Sequence, residues 1–97
     1  MIETVIRKRI EILADQPLVG RVTNAIDEVG ISGWTILPVT SGSGREGRWR
    51  EERITGADKV LVLTIASAEK ASSLAERLAP ILTSHGFLLT MWDVEVI

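Results

Sequence analysis

The first forty residues change from an alternating apolar pattern to a helical one and back. In residues 5–13, isoleucines alternate with charged side chains, and this period of two predicts a strand with one buried face. Apolar residues then recur every three or four positions across residues 18–29, between a proline and a glycine, which predicts an amphipathic helix. Residues 33–40 are rich in β-branched and apolar side chains and predict a second strand. Pro38 lacks the amide hydrogen that a central strand needs, so we expect this strand at an edge of the sheet.

The second half of the chain repeats this order after a polar interruption. Residues 41–58 contain glycines and alternating charges without an apolar period, so we expect a long, mobile loop there. Residues 59–66 form a nearly continuous apolar run that predicts a third strand. Ser67 is suited to cap a second helix, which Pro80 should kink or shorten. Residues 87–97 predict a long final strand.

The order of the predicted elements is βαββαβ, and residues 1–97 have the length of a single domain. This order predicts an α+β fold of the ferredoxin-like sandwich type, in which two helices cover one face of a four-stranded antiparallel sheet. The third and fourth strands are apolar on both sides, so the uncovered face of the sheet also carries apolar residues. Because large exposed apolar patches are uncommon on monomers, we expect copies of the chain to bury this face against each other.

Composition narrows the classes of function. The chain has no cysteine and one histidine, which excludes thiolate sites and most imidazole metal sites, so we expect neither a bound metal nor a cysteine nucleophile. The formal net charge of -2 at pH 7 argues against general attraction to nucleic acids or membranes. No apolar run approaches the ~20 residues that a membrane-spanning helix needs. We therefore expect a cytoplasmic protein that binds no nucleic acid and does not insert into a membrane.

The polar stretch between the second and third predicted strands carries the candidate chemistry. Its glycines, Gly42 and Gly44 among them, allow consecutive amide groups to form an anion-binding nest. Its basic residues are all arginines, whose planar guanidinium makes paired contacts to phosphate or carboxylate groups. A ligand that carries phosphate fits this composition. The alternative is a flexible, solvated linker, of which Ser-Gly-Ser-Gly and alternating Arg and Glu are also typical.

Two motifs resemble a known family. One is the stretch Val29-Gly30-Ile31-Ser32-Gly33-Trp34-Thr35-Ile36, and the other is Gly42-Ser43-Gly44-Arg45 at the start of the long loop. Together they resemble the PII superfamily pattern of a helix end, a Gly-x-Thr strand and a Gly-x-Gly-Arg loop base. The likeness extends over nearly the whole chain and is greatest to PII-like proteins associated with bicarbonate transport and carboxysomes.

The resemblance implies a homotrimer with an effector site in each cleft between subunits. The implied effector is an adenine nucleotide, with bicarbonate as a further candidate ligand, and no cofactor or catalytic residue is implied. Residues 41–58 correspond to the T-loop of the family, whose conformation would report occupancy to a bicarbonate transporter or an enzyme of carbon metabolism. The nucleotide-binding residues that follow from the resemblance are Gly33, Trp34, Thr35, Thr40, Ser41, Gly42, Ser43, Gly44, Arg45, Arg48, Arg50, Ser84, His85, Gly86 and Phe87. We assign Trp49 and Arg53 of the loop to partner binding.

The chain departs from the classical PII pattern in ways that change the expected ligand. The stretch from Ser84 to Phe87 is shorter than the glycine-rich, lysine-bearing B-loop of classical PII proteins, and the chain ends without their basic pair. These differences favour ADP or AMP over ATP. The chain has no tyrosine for uridylylation, and its long loop has no glutamine to help bind magnesium and 2-oxoglutarate. Nitrogen signalling by the classical route is therefore not expected.

Other functions stay open on the sequence alone. An ACT-like regulatory module, which binds an amino acid at a subunit interface, shares the strand order and is the main alternative. RNA-recognition domains share it too, but their central strands carry stacking aromatic residues that are missing here. Trp34 and Trp92 are expected in the core or in an interface. His85, at the end of the second predicted helix, is expected to complement the helix dipole rather than to catalyse a reaction.

Overall fold

The structure is a computed structural model of the chain. It describes the backbone of residues 1–44, 47–50 and 59–97, and the side chains of residues 1–43 and 59–97. The elements are β1 Val5–Asp15, a 3₁₀ turn Gln16–Leu18, α1 Val19–Glu28, β2 Thr35–Val39, β3 Ser41–Gly44, β4 Gly47–Arg50, β5 Lys59–Ala66, α2 Ala68–His85 and β6 Leu88–Val96. Both predicted helices and all four predicted strands are present.

Four strands form one antiparallel sheet in the order β2-β5-β1-β6, and the two helices pack on one of its faces. This is the ferredoxin-like α+β fold that the sequence predicts. Pro38 lies in β2, an edge strand, where a proline is tolerated because amides on the outer side of the strand make no sheet hydrogen bond. The largest side chains that are fully buried between helices and sheet are Ile10, Ile12, Val22, Ile26, Val62 and Leu74.

Helix α2 begins at the predicted cap and runs through its proline. The Ser67 hydroxyl oxygen accepts a hydrogen bond from the Lys70 amide at 3.2 Å, and Gly86 ends the helix in the left-handed conformation. The prediction that Pro80 shortens the helix is wrong, because α2 continues to His85. A proline frees the carbonyl four residues earlier, which belongs to Glu76, and both residues are exposed, so solvent can satisfy that carbonyl. Neither helix in the described part of the chain combines the length and hydropathy needed to cross a bilayer.

Part of the predicted loop at residues 41–58 is a two-stranded hairpin. Strands β3 and β4 pair antiparallel, with Ser41 opposite Arg50 and Gly44 opposite Gly47. A Ser-Gly repeat has low strand propensity, so no local signal in this stretch predicted pairing. The hairpin follows β2 after one residue and therefore extends from the same edge of the main sheet. Residues 45–46 and 51–58 lie outside the described part of the chain.

The face of the sheet opposite the helices is open and largely apolar. One row of leucines crosses all four strands of the main sheet, because Leu61 pairs with both Leu37 and Leu13, and Leu13 pairs with Leu88. Trp92 lies on this face as well, paired with Arg9 and 43% exposed. This arrangement agrees with the expected uncovered apolar face. It also shows that Trp92 does not belong to the core of the single chain.

Candidate functional site

A cavity of about 450 Å³ opens where the segment between α1 and β2 meets strands β5 and β1. Its lining residues are Arg9, Ser32, Gly33, Trp34, Thr35, Leu63, Thr64 and Ile65. Gly33, Trp34 and Thr35 are among the nucleotide-binding residues that the family resemblance implies. The structure thus brings this motif to one concave surface. Its volume is within the range of small-molecule sites.

Three side-chain hydrogen bonds fix the segment that forms one wall of this cavity. The Thr64 hydroxyl donates to the Gly33 carbonyl oxygen at 2.5 Å, which ties the segment to β5. The Lys70 ammonium donates to the Gly30 carbonyl oxygen at 2.7 Å, which ties it to α2. The Trp34 indole Nε1 donates to Asp27 Oδ1 at 3.3 Å, which ties it back to α1. The wall is therefore held to three separate elements before any ligand binds.

Gly33 leaves the floor of the cavity open. Its φ is not positive, and a Cβ added there would meet no described atom within 4 Å beyond its chain neighbours. Neither backbone conformation nor packing within the chain therefore requires glycine at this position. What the missing side chain provides is space on the cavity side, which a ligand or a neighbouring subunit can occupy.

Arg9 is the one charged residue among the described residues that line the cavity. Its Nε lies 3.7 Å from Glu11 Oε1, and its guanidinium lies 5.8 Å from the centre of the Trp92 ring. These contacts hold the arginine along the open sheet face. Arg9 was not among the predicted site residues, because the alternating pattern of β1 shows only that Arg9 faces away from the helices. Finding it at the cavity required the strand register, which pairs it with Ile65.

The predicted nucleotide-binding residues from Thr40 onwards lie at the far end of β2 from this cavity. Thr40 follows the strand, and Ser41, Gly42 and Ser43 continue into the first strand of the hairpin, where both serines are exposed. Gly44 lies in the same strand. Arg45 and Arg53 lie outside the described residues. Of Arg48, Trp49 and Arg50 the backbone alone is described, in β4, so the roles assigned to these side chains stay predictions.

The residues assigned to the B-loop position lie at the opposite edge of the sheet. Ser84 and His85 end α2, Gly86 forms the turn, and Phe87 is buried in the core next to the start of β6. Two strands separate β6 from β2, which at the usual strand spacing corresponds to about 14 Å. A single chain therefore does not bring this turn together with the hairpin. Ser84 instead lines a second cavity of about 310 Å³ between the two helices.

Solved structures with this fold include several PII-like proteins. CPII, a nitrogen regulatory PII-like protein from Thiomonas intermedia K12 solved with ADP, AMP and bicarbonate, matches with a TM-score of 0.86 at 23% identity, covering 99% of this chain and 100% of that chain. A PII-like signalling protein from Thermus thermophilus, TTHA0516, matches with a TM-score of 0.82 at 24% identity, covering 99% and 94%. The B. subtilis GlnK–ATP complex matches with a TM-score of 0.65 at 9% identity, covering 96% and 85%.

Sequence comparison identifies the family. No curated protein sequence matches the chain significantly. The family profile described as nitrogen regulatory protein P-II matches residues 7–97, which is nearly the whole chain. This match confirms the resemblance seen in the two glycine motifs and favours it over the ACT-like alternative. The protein therefore belongs to the nitrogen regulatory protein P-II family.

Proposed function

We propose that this protein is a PII-like signal-transduction protein that binds an adenine nucleotide, with ADP or AMP favoured and bicarbonate as a candidate second ligand. The observation that carries the proposal is that Gly33, Trp34 and Thr35 line one cavity of about 450 Å³. These residues belong to the motif by which the sequence resembles nucleotide-binding members of the family. A structural relative from Thiomonas was solved with ADP, AMP and bicarbonate, which supports the same ligand class here.

The nature of the cavity supports a nucleoside as the part of the ligand that it holds. Its lining residues combine the aromatic Trp34, the aliphatic Leu63 and Ile65, and the polar Ser32 and Thr35. Such mixed surfaces bind flat, partly polar groups, because apolar contact supplies affinity and a few polar groups fix orientation.

A homotrimer completes the site in this proposal. The hairpin and the turn at Gly86 lie on opposite edges of one sheet, so a neighbouring copy has to bring the second edge to the first. The open face, with its row of leucines, supplies the apolar surface for such an assembly. The nucleotide then lies in the cleft between two subunits.

The signal in this proposal is the conformation of residues 41–58. Ligand contacts at the base of the hairpin change which surface of this loop a target protein meets, as in other order–disorder switches. The target is a bicarbonate transporter or an enzyme of inorganic-carbon metabolism, contacted through Trp49 and Arg53. The protein acts in the cytoplasm as a regulator and not as an enzyme.

Calorimetric titration of the purified protein with AMP, ADP and ATP, each with and without bicarbonate, tests the proposal. We expect micromolar binding of AMP or ADP to a trimer, and weaker binding of ATP. Light scattering in the same buffer gives the mass of the assembly. If none of the three nucleotides binds at millimolar concentration, with or without bicarbonate, the proposed function is wrong.

A further inference from the structure

The indole of Trp34 is exposed and is nevertheless held in one orientation. The residue lines the cavity and is 43% exposed, so core packing alone does not immobilise its side chain. A hydrogen bond does, because Nε1 donates to Asp27 Oδ1 at 3.3 Å. Asp27 lies in the last turn of α1, directly after Ala25 and Ile26, which are buried in the core. The carboxylate that holds the ring is therefore attached to a rigid element.

The backbone next to the ring is fixed as well. Thr64 holds the carbonyl of Gly33, the residue before Trp34, and Lys70 holds the carbonyl of Gly30. The Asp27 contact restricts rotation of the Trp34 side chain next to this fixed backbone. Gly33 has no side chain, and a Cβ there would meet no described atom within 4 Å apart from its chain neighbours.

We propose that Asp27 is a positioning residue of the cavity and that the Trp34 ring it holds stacks on the planar base of the effector. The inference rests on the proposed binding of a nucleotide and extends it to the group that is recognised. Stacking on an indole selects flat heteroaromatic rings and does not depend on the number of phosphates. A ring fixed in advance also loses little conformational entropy when the base binds.

Substitutions of Asp27 distinguish a positioning role from an electrostatic one, because its carboxylate supplies both a charge and a hydrogen-bond acceptor. A carboxylate near an anionic nucleotide repels it, so removal of this charge alone should strengthen binding. Loss of the hydrogen bond to Trp34 should weaken binding. Asp27→Asn removes the charge but keeps an oxygen that can accept the indole N–H, whereas Asp27→Ala removes both. Glu28→Ala is a matched control, because Glu28 is the next residue, is exposed and pairs with Arg77 away from the cavity.

The experiment is calorimetric titration with AMP and with ribose 5-phosphate, which lacks the base. Asp27→Ala should bind AMP roughly three- to tenfold more weakly than the wild type, the effect of losing one hydrogen bond of ordinary net strength. Asp27→Asn and Glu28→Ala should bind AMP no more than about twofold more weakly than the wild type. Binding of ribose 5-phosphate should not weaken in any variant. In a Trp34→Phe background, Asp27→Ala should not weaken AMP binding any further.

Several results would overturn the inference while leaving nucleotide binding intact. These are equal AMP affinities for Asp27→Ala and Glu28→Ala, or a weakening of AMP binding by Asp27→Ala that persists in the Trp34→Phe background. Failure of the wild type to bind AMP or ADP is a different result, which removes the proposed function itself.

Discussion

Gly30 and Gly33 lie three residues apart, and the structure requires only one of them to be glycine. Gly30 has a φ of 83°, in the left-handed region that other residues rarely adopt, and it ends the helical turn after α1. Gly33 has no such φ and no close neighbour, yet it lines the cavity beside Trp34. A glycine that neither backbone nor packing requires is a candidate for a role in binding. Substitution of Gly30 should therefore strain the backbone, whereas substitution of Gly33 should affect ligand binding.

Gly33→Ala should reduce nucleotide affinity without destabilising the protein. The added methyl group meets no described atom within 4 Å in the chain, so it occupies cavity space that the ligand needs. We expect AMP to bind about tenfold more weakly, because overlap of one methyl group in a filled site costs on the order of 1–3 kcal/mol. Calorimetry measures the affinity, and urea unfolding measures the stability.

Gly20→Ala is the control for that substitution. Gly20 also has open space around its Cβ position, but it lies in α1 and is not part of the cavity. Alanine there should leave AMP affinity unchanged and raise the free energy of unfolding by about 0.5–1 kcal/mol, since it replaces a helical glycine. Equal AMP affinities for Gly33→Ala and the wild type would show that the ligand does not approach Gly33.

The sequence identified only part of this site, for a reason that Arg9 and Ile65 illustrate. Gly33, Trp34 and Thr35 are contiguous, so a local motif was enough to select them. Arg9 and Ile65 come from distant strands and reach the cavity through the register of β1 and β5. No local pattern contains that register. Trp34 was expected in the core or an interface; its exposure excludes the core of the single chain, and the interface stays a prediction.

Among the helices and strands, the ends of α2 are set by two residues with well-defined roles. Ser67 caps the first turn through its hydroxyl oxygen, and Gly86 ends the last turn with a φ of 65°. The first turn also carries Lys70, whose ammonium group reaches the end of the turn after α1. The start of α2 therefore supports both the helix and one wall of the cavity.

Ser67→Ala should lower the free energy of unfolding by about 1 kcal/mol, because the Lys70 amide loses its acceptor at the helix start. Urea unfolding at a fixed protein concentration measures the change. Ser72→Ala is the matched control, since Ser72 is an exposed serine inside the same helix, where alanine is at least as favourable. If the two variants lose the same stability, Ser67 does not act as a cap.

How far the elements could be predicted depended on whether side chains or backbone pairing determine them. Ser67, the alternating isoleucines of β1 and the apolar run of β5 show their roles in sequence, and the structure confirms those elements. The hairpin of Ser41–Gly44 and Gly47–Arg50 depends on backbone pairing and has no apolar pattern, so it was assigned to a loop. Pro80 was expected to kink or shorten α2, but the helix continues past it to His85. The carbonyl that it frees belongs to Glu76, an exposed residue, so solvent can satisfy it.

In the whole molecule, two features favour an assembly of several copies: the open sheet face and the division of the candidate site residues between two edges of the sheet. The leucine row crosses the sheet on the face that the helices leave uncovered, and Leu88 at its end is 59% exposed. The candidate site residues are divided between the two edges of the sheet. A cyclic assembly that buries the open face also brings edges of neighbouring copies together. Assembly and ligand binding should therefore be coupled.

Leu88→Glu should dissociate the assembly and weaken nucleotide binding together. The residue is exposed in the single chain, so a charge there is compatible with the monomer fold, whereas in a buried interface it would be desolvated without a partner. Sedimentation should show a smaller species with native-like circular dichroism. Ala79→Glu, at an exposed position of α2, should keep the mass of the wild type. An unchanged mass for Leu88→Glu would show that the open face is not the subunit interface.

Native mass spectrometry of the protein with AMP or ADP measures assembly and ligand binding in one spectrum. We expect a homotrimer that carries nucleotide at one site per subunit cleft, and we expect monomers formed by Leu88→Glu to carry none. A wild-type monomer with bound nucleotide would show that one chain forms the site alone. A wild-type trimer without nucleotide would leave the fold and family intact and would contradict the proposed effector.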